Sequence, residues 1–194
     1  MQRFVSNTSK ACALLGGGLL LLIVCLTVLE VIVRRITAGS IGPVDEISGY
    51  LFAASLTLSL GYAFEQRAHI RIDILYARMP AAVRIVADLV ALAAMTVFAT
   101  FLLVRVWSVF ATSLEAGSRS NSTLGMPLAI PQGIWVAGLA IFTAILLYYV
   151  CASIGSVATG RRSWIAAHIS PPDTNEVVTT EMENVSIGKG ADVQ

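Results

Sequence analysis

Three charged side chains interrupt long apolar runs of this 194-residue chain, and they are the positions at which the sequence could do chemistry: Glu30, Asp88 and Arg105. Charges inside a membrane span can mark a proton or ion path. Arg34 follows Glu30 by one helical turn, which favours an ion pair. Arg84 precedes Asp88 by one turn, and Arg105 can snorkel toward the opposite interface. Structural roles are therefore favoured, and an autonomous proton or ion pathway is the alternative hypothesis.

A second polar group flanks the apolar run that ends at Phe64. Its members are candidates for polar docking to a partner: Asp45, Glu46, Arg67, His69, Arg71 and Asp73. The two acids open the run, where negative charge also suits the exposed amides and the dipole of a helix N-terminus. The pattern of residues 65–82 fits a short strand and a helix equally well, so it leaves their conformation open.

Between the acids and Phe64, small residues recur at every fourth position: Gly49, Ala53, Thr57 and Gly61. This spacing keeps them on one side of a helix, where a second helix can approach closely. We call these four residues the small-residue stripe. It predicts a helix-packing surface, either inside this chain or with another subunit, and packing inside the chain is favoured.

The composition indicates an integral membrane protein. Charged residues make up 13% of the chain, the mean hydropathy is +0.78, and the net charge is only +1. The near-neutral charge argues against nucleic-acid binding. The histidines lie outside the apolar runs, and the cysteines form no CxxC motif, so neither haem nor a metal is expected. No protease, hydrolase or phosphate-binding motif is present, which argues against an enzyme.

Four membrane-spanning helices must position these residues. Apolar runs separated by turn residues predict them at about 11–35, 45–64, 83–113 and 130–157. Basic residues near the spans concentrate on one side, as in cytoplasmic loops. The predicted fold is therefore all-α and membrane-integral, with both termini cytoplasmic. We predict a cytoplasmic N-terminal segment at 1–10, the membrane domain at 11–158 and a cytoplasmic tail at 159–194 that is expected to be disordered.

The order of these features resembles the DctQ-like family, the small membrane subunit of tripartite ATP-independent periplasmic (TRAP) transporters. The likeness covers about residues 10–158. The matching residues are Arg34 and Arg35, then Pro43, Asp45 and Glu46, then Gly61 and Ala63, then AHIRIDIL at 68–75 and LGMPLAIPQGIW at 124–135. Val44 and Ala68 depart from the family pattern, which often has an aromatic residue and a glycine there.

The resemblance implies a division of labour in a bacterial inner membrane. A periplasmic substrate-binding protein captures an organic anion, often a carboxylate, and a large membrane subunit carries the substrate and sodium sites. The small subunit binds and supports the large one. This chain is accordingly expected to be a multi-pass accessory subunit in contact with lipid, without a cofactor of its own because sodium belongs to the large subunit.

Overall fold

The computed structural model describes residues 2–37, 39, 42–66, 80–122 and 124–158. This part of the chain contains four helices: α1 (Gln2–Thr37), α2 (Val44–Glu65), α3 (Ala81–Glu115) and α4 (Ala129–Ala158). Each is long and apolar enough to cross a membrane. The prediction of an all-α protein with four membrane helices is confirmed. The charged segment 67–79 and the tail 159–194 lie outside the described residues.

Prolines and charges mark the helix ends. Pro43 and Pro80 directly precede α2 and α3, where a missing backbone N–H costs no helical hydrogen bond. Asp45 and Glu46 occupy the first turn of α2, and Arg34 and Arg35 lie in the last turn of α1. Both charge placements complement the helix dipole. α1 begins at Gln2, so residues 2–10 belong to the first helix.

A compact loop joins α3 to α4. At the end of α3, Gly117 has a φ of 59°, and the Ser118 amide donates to the Ser113 carbonyl at 3.0 Å. This Schellman arrangement needs the left-handed conformation that glycine adopts without strain. The loop then folds back on itself, because the Ser120 amide donates to the Met126 carbonyl at 2.8 Å. These hydrogen bonds therefore fix the direction in which the chain turns from α3 into α4.

The helices form an open row rather than a closed bundle. The main contacts are α1 with α2, α2 with α4, and α4 with α3, so the order across the row is α1, α2, α4, α3. In the most apolar stretch of α4, 44% of the residues are buried inside the chain, whereas in that of α1 only 11% are. α2 and α4 are thus the interior helices, and α1 and α3 are the edges.

Two apolar clusters hold α4 against its neighbours. The larger one contains Phe64, Leu92, Ala99, Phe142, Ile145, Leu146 and Tyr149. Within it the rings of Phe64 and Tyr149 meet edge to face, with centroids 5.2 Å apart. The smaller cluster, nearer the α3–α4 loop, contains Val106, Val136 and Leu139. Both clusters include side chains of α4, which explains why so much of this helix is buried.

Candidate functional site

The small-residue stripe is divided between a packed end and an open end. A Cβ atom built on Gly61 would lie 2.6 Å from Ile145 Cδ1, and one on Gly138 would lie 2.9 Å from Thr57 Cβ. α2 and α4 therefore approach closely at Thr57 and Gly61. At the other end, a Cβ on Gly49 would meet no atom of the described chain within 4 Å. Ala53, between the two ends, is half-buried.

A second close contact, which the sequence did not predict, joins α1 to α2. A Cβ on Gly16 would lie 2.9 Å from the Ser55 carbonyl oxygen. The buried Ser55 hydroxyl donates to the Gly16 carbonyl at 2.7 Å. A glycine here both permits the approach and exposes a carbonyl to the donor. The signal was the run Gly16–Gly18, in which Gly17 and Gly18 have open space around them.

The acidic pair lies where α2 meets the α3–α4 loop. Asp45 is exposed, whereas Glu46 is half-buried and accepts a hydrogen bond from the Tyr50 hydroxyl at 2.5 Å. The hydroxyls of Ser120 and Ser122 also interact with the Glu46 carboxylate. By distance and angle, Glu46 Oε2 is buried without a hydrogen-bond partner among the described residues. The hydroxyl dipoles of Ser120 and Ser122 therefore attract the Glu46 carboxylate, and this attraction draws the loop toward α2.

At the opposite end of α2, a polar contact joins three helices. Ser9 on α1 is fully buried and its hydroxyl donates to Glu65 Oε2 on α2. The Tyr149 hydroxyl on α4 donates to Glu65 Oε1 at 3.4 Å. The carboxylate thus has a donor for each oxygen, which offsets the cost of its partial burial. We call Ser9, Glu65 and Tyr149 the three-helix polar contact.

The three charges within the spans are not brought together. Glu30 is 4% exposed and accepts a 2.9 Å hydrogen bond from Arg34, near the end of α1 that lies beside the start of α2. Asp88 is 2% exposed and lies near the start of α3, one turn before Leu92. Arg105 is exposed on α3. These positions do not line a common path, so no observation favours the proton or ion pathway.

The remaining predicted docking residues, Arg67, His69, Arg71 and Asp73, lie outside the described residues. Within the described ranges, no group of three or more His, Cys, Asp or Glu side chains is placed to hold a metal ion.

Four long apolar helices that pack through small side chains and a few polar contacts define a multi-pass membrane protein. A family model described as "Tripartite ATP-independent periplasmic transporters, DctQ component" matches residues 23–156, well over half of the chain. The chain belongs to this family and is the small membrane subunit of a TRAP transporter, as the sequence resemblance predicted. A comparison with curated proteins found no match.

Family membership makes the chain a component of a transporter rather than a member of an enzyme family. It also implies association with a large membrane subunit and with a periplasmic binding protein, because the system is tripartite.

Proposed function

We propose that this chain is the accessory scaffold of a sodium-driven TRAP system that takes up organic anions, with carboxylates as the expected class. In this proposal it binds the large membrane subunit and extends its fixed framework within a bacterial inner membrane. Both termini face the cytoplasm. The sodium site belongs to the large subunit, and this chain holds no cofactor.

The open row of helices is the observation that carries the proposal. In a closed four-helix bundle each helix packs against two neighbours, whereas here the edge helices α1 and α3 each have one main neighbour and leave most of their apolar side chains uncovered. In a bilayer such side chains contact lipid or another protein. A broad, rigid surface of this kind suits packing against a second membrane subunit.

The candidate contacts with the large subunit come from the parts that this chain leaves open. Gly49 has space for a partner helix. Asp45, one turn earlier, is exposed and would pair with a cationic surface of the large subunit. We keep Glu46 in this docking group as well, together with Arg67, His69, Arg71 and Asp73. In contrast, the contacts of Thr57 and Gly61 with α4 favour a role inside the subunit.

The test is co-expression of this chain, carrying an affinity tag, with a large TRAP membrane subunit from the same organism. We expect the large subunit to co-purify in mild detergent. In cells, deletion of this chain should abolish sodium-dependent uptake of the organic anion that the binding protein captures. Failure to co-purify, or solute transport by this chain alone in liposomes, would overturn the proposal.

A further inference from the structure

Arg105 is the feature of α3 that the contacts within this chain do not explain. Its side chain is exposed, and its guanidinium carbon lies 5.1 Å from the centre of the Phe101 ring. The next residue, Val106, is buried in the cluster with Val136 and Leu139. Arg105 is therefore beside the core in sequence but points to the outside of the row.

The neighbours of Arg105 place it at the depth of the middle of α2. Val106 packs with Leu139, and Gly138 meets Thr57. Thr57 lies thirteen residues after Val44 and eight before Glu65, the two ends of α2. At ~1.5 Å per residue, these are separations of ~20 and ~12 Å. Because α2 is just long enough to span a hydrocarbon core of ~30 Å, Arg105 lies within that core.

The side chain of Arg105 does not extend toward the nearer end of its own helix. Stacking over Phe101 directs it one turn back toward the middle of α3. The nearest charged residues of α3 are Glu115, ten positions later, and Asp88, seventeen positions earlier. The guanidinium therefore lies toward Phe101, away from the Glu115 end of the helix.

Arginines at this depth ordinarily pair with an acid or with backbone carbonyls. In the described part of the chain, no carboxylate lies within ion-pair distance of Arg105. The Phe101 ring offers a cation–π contact, but it cannot accept hydrogen bonds from all five N–H groups of the guanidinium.

Arg105 also belongs to a continuous exposed seam. Its residues follow the alternating spacing of four and three that lines the contact between two nearly parallel or antiparallel helices. They are Ala94, Phe98, Phe101, Arg105, Ser108 and Thr112, and all six are exposed. The seam lies on an edge helix, whose main contact within the chain is with α4 through other residues. We call these six residues the α3 seam.

We propose that the α3 seam is the docking surface for a transmembrane helix of the large subunit, and that this helix carries an Asp or Glu whose carboxylate pairs with Arg105. The inference rests on the proposed function, which supplies the partner. Charge complementarity selects the occupant, because an arginine at this depth needs an acceptor that hydrocarbon chains do not offer. Phe98 and Phe101 provide the apolar half of the contact.

The first experiment compares recovery of the large subunit with tagged wild-type chain and with Arg105→Leu. Removing one partner of a buried ion pair should lower recovery by about tenfold or more. Arg35→Leu is the matched control, since Arg35 is an exposed arginine on the other edge helix, and recovery with it should equal wild type. Equal losses for both variants would overturn the inference.

A second pair of variants tests the seam without removing a charge. Ala94→Trp places a bulky ring on the seam, whereas Leu114→Trp places one on another exposed face of α3. We expect only Ala94→Trp to reduce recovery. These substitutions keep the test valid even if Arg105→Leu fails to insert, which size-exclusion chromatography of the variant would reveal.

The carboxylate is tested by charge exchange. Arg105→Glu should lose the large subunit, and changing one intramembrane Asp or Glu of the large subunit to Arg should restore it. If no such change restores recovery, the pairing is wrong. If Arg105→Leu keeps the large subunit but loses an anionic lipid in native mass spectrometry, the acceptor is a lipid phosphate and the inference fails. If the wild-type chain itself recovers no large subunit, the proposed function fails instead.

Discussion

At the scale of single residues, most hydroxyl groups of the described helices find an acceptor in one of two ways. Most hydroxyls within the helices bond back to a carbonyl one turn earlier, as Thr96 does to Leu92 and Thr143 does to Leu139. These bonds need no partner helix and suit a hydrocarbon environment. Ser9 is different, because its hydroxyl lies against both the Ser6 carbonyl of its own helix and the Glu65 carboxylate, which is 56 positions away in the chain.

We predict that Ser9→Ala lowers the free energy of unfolding of the purified subunit by about 1–2 kcal/mol, because it removes a donor to a partly buried carboxylate. SDS titration of the subunit in detergent micelles, followed by helical circular dichroism, measures the loss.

Ser6→Ala is the control for this prediction. Ser6 lies one turn before Ser9 on the same helix, and its hydroxyl makes no hydrogen bond among the described residues. We expect it to unfold as wild type does. Identical losses for the two variants would show that the Ser9 hydroxyl contributes nothing specific.

Sequence reasoning succeeded at this scale only for local spacing. The four-residue interval between Glu30 and Arg34 implies the ion pair that the structure contains, since one helical turn brings the two side chains together. No local interval connects Ser9 with Glu65 or Tyr149. Their contact depends on how three helices pack, so no sequence pattern indicated the partners of Glu65.

At the scale of elements, α2 is packed on two sides by small side chains. Ser55 faces Gly16 of α1, and Thr57 with Gly61 faces α4. The four-residue spacing was sufficient to predict a packing surface on this helix. It did not indicate which part of the stripe packs inside the chain, because Gly49 and Gly61 have the same residue type and the same periodic position.

We predict that Gly61→Leu destabilises the isolated subunit by about 1–3 kcal/mol, because the leucine side chain on α2 must displace Ile145 of α4 from the contact between the two helices. The melting temperature of the detergent-solubilised subunit, measured by loss of monodispersity on heating, provides the readout.

Gly49→Leu is the matched control, because the same side chain there meets open space. We expect an unchanged or slightly higher melting temperature, as leucine favours a helix more than glycine does. A destabilised Gly49→Leu, or an unaffected Gly61→Leu, would contradict the division of the stripe into packed and open ends.

At the scale of the whole molecule, the number of spans could be read from the sequence and the order of the row could not. Hydropathy depends on composition along the chain, so long apolar runs identify membrane helices directly. Which helices touch depends on the detailed fit of their surfaces. The position of α4 between α2 and α3 follows from contacts such as Thr57 with Gly138, for which the sequence offered only a pattern of small residues.

We predict that the loop between α3 and α4 is periplasmic and that the start of α1 is cytoplasmic, from the distribution of basic residues. The test uses a variant without Cys12, Cys25 and Cys151, into which one exposed asparagine at a time is changed to cysteine. Asn121→Cys should react with a membrane-impermeant maleimide in spheroplasts.

Asn7→Cys should react only after the inner membrane is opened. Both asparagines are exposed, so a difference in labelling reports the side of the membrane rather than burial. The reverse pattern would invert the topology and remove the cytoplasmic placement of the termini from the proposed function.

The position of α4 also constrains biogenesis. A ribosome completes α1, α2 and α3 before it makes α4, yet α4 supplies the main contacts that link α3 to the other helices. The nascent protein must therefore wait in the bilayer as an α1–α2 hairpin and a loosely held third span. Insertion of α4 completes the row, which makes the synthesis of this helix the step at which an assembled subunit first exists.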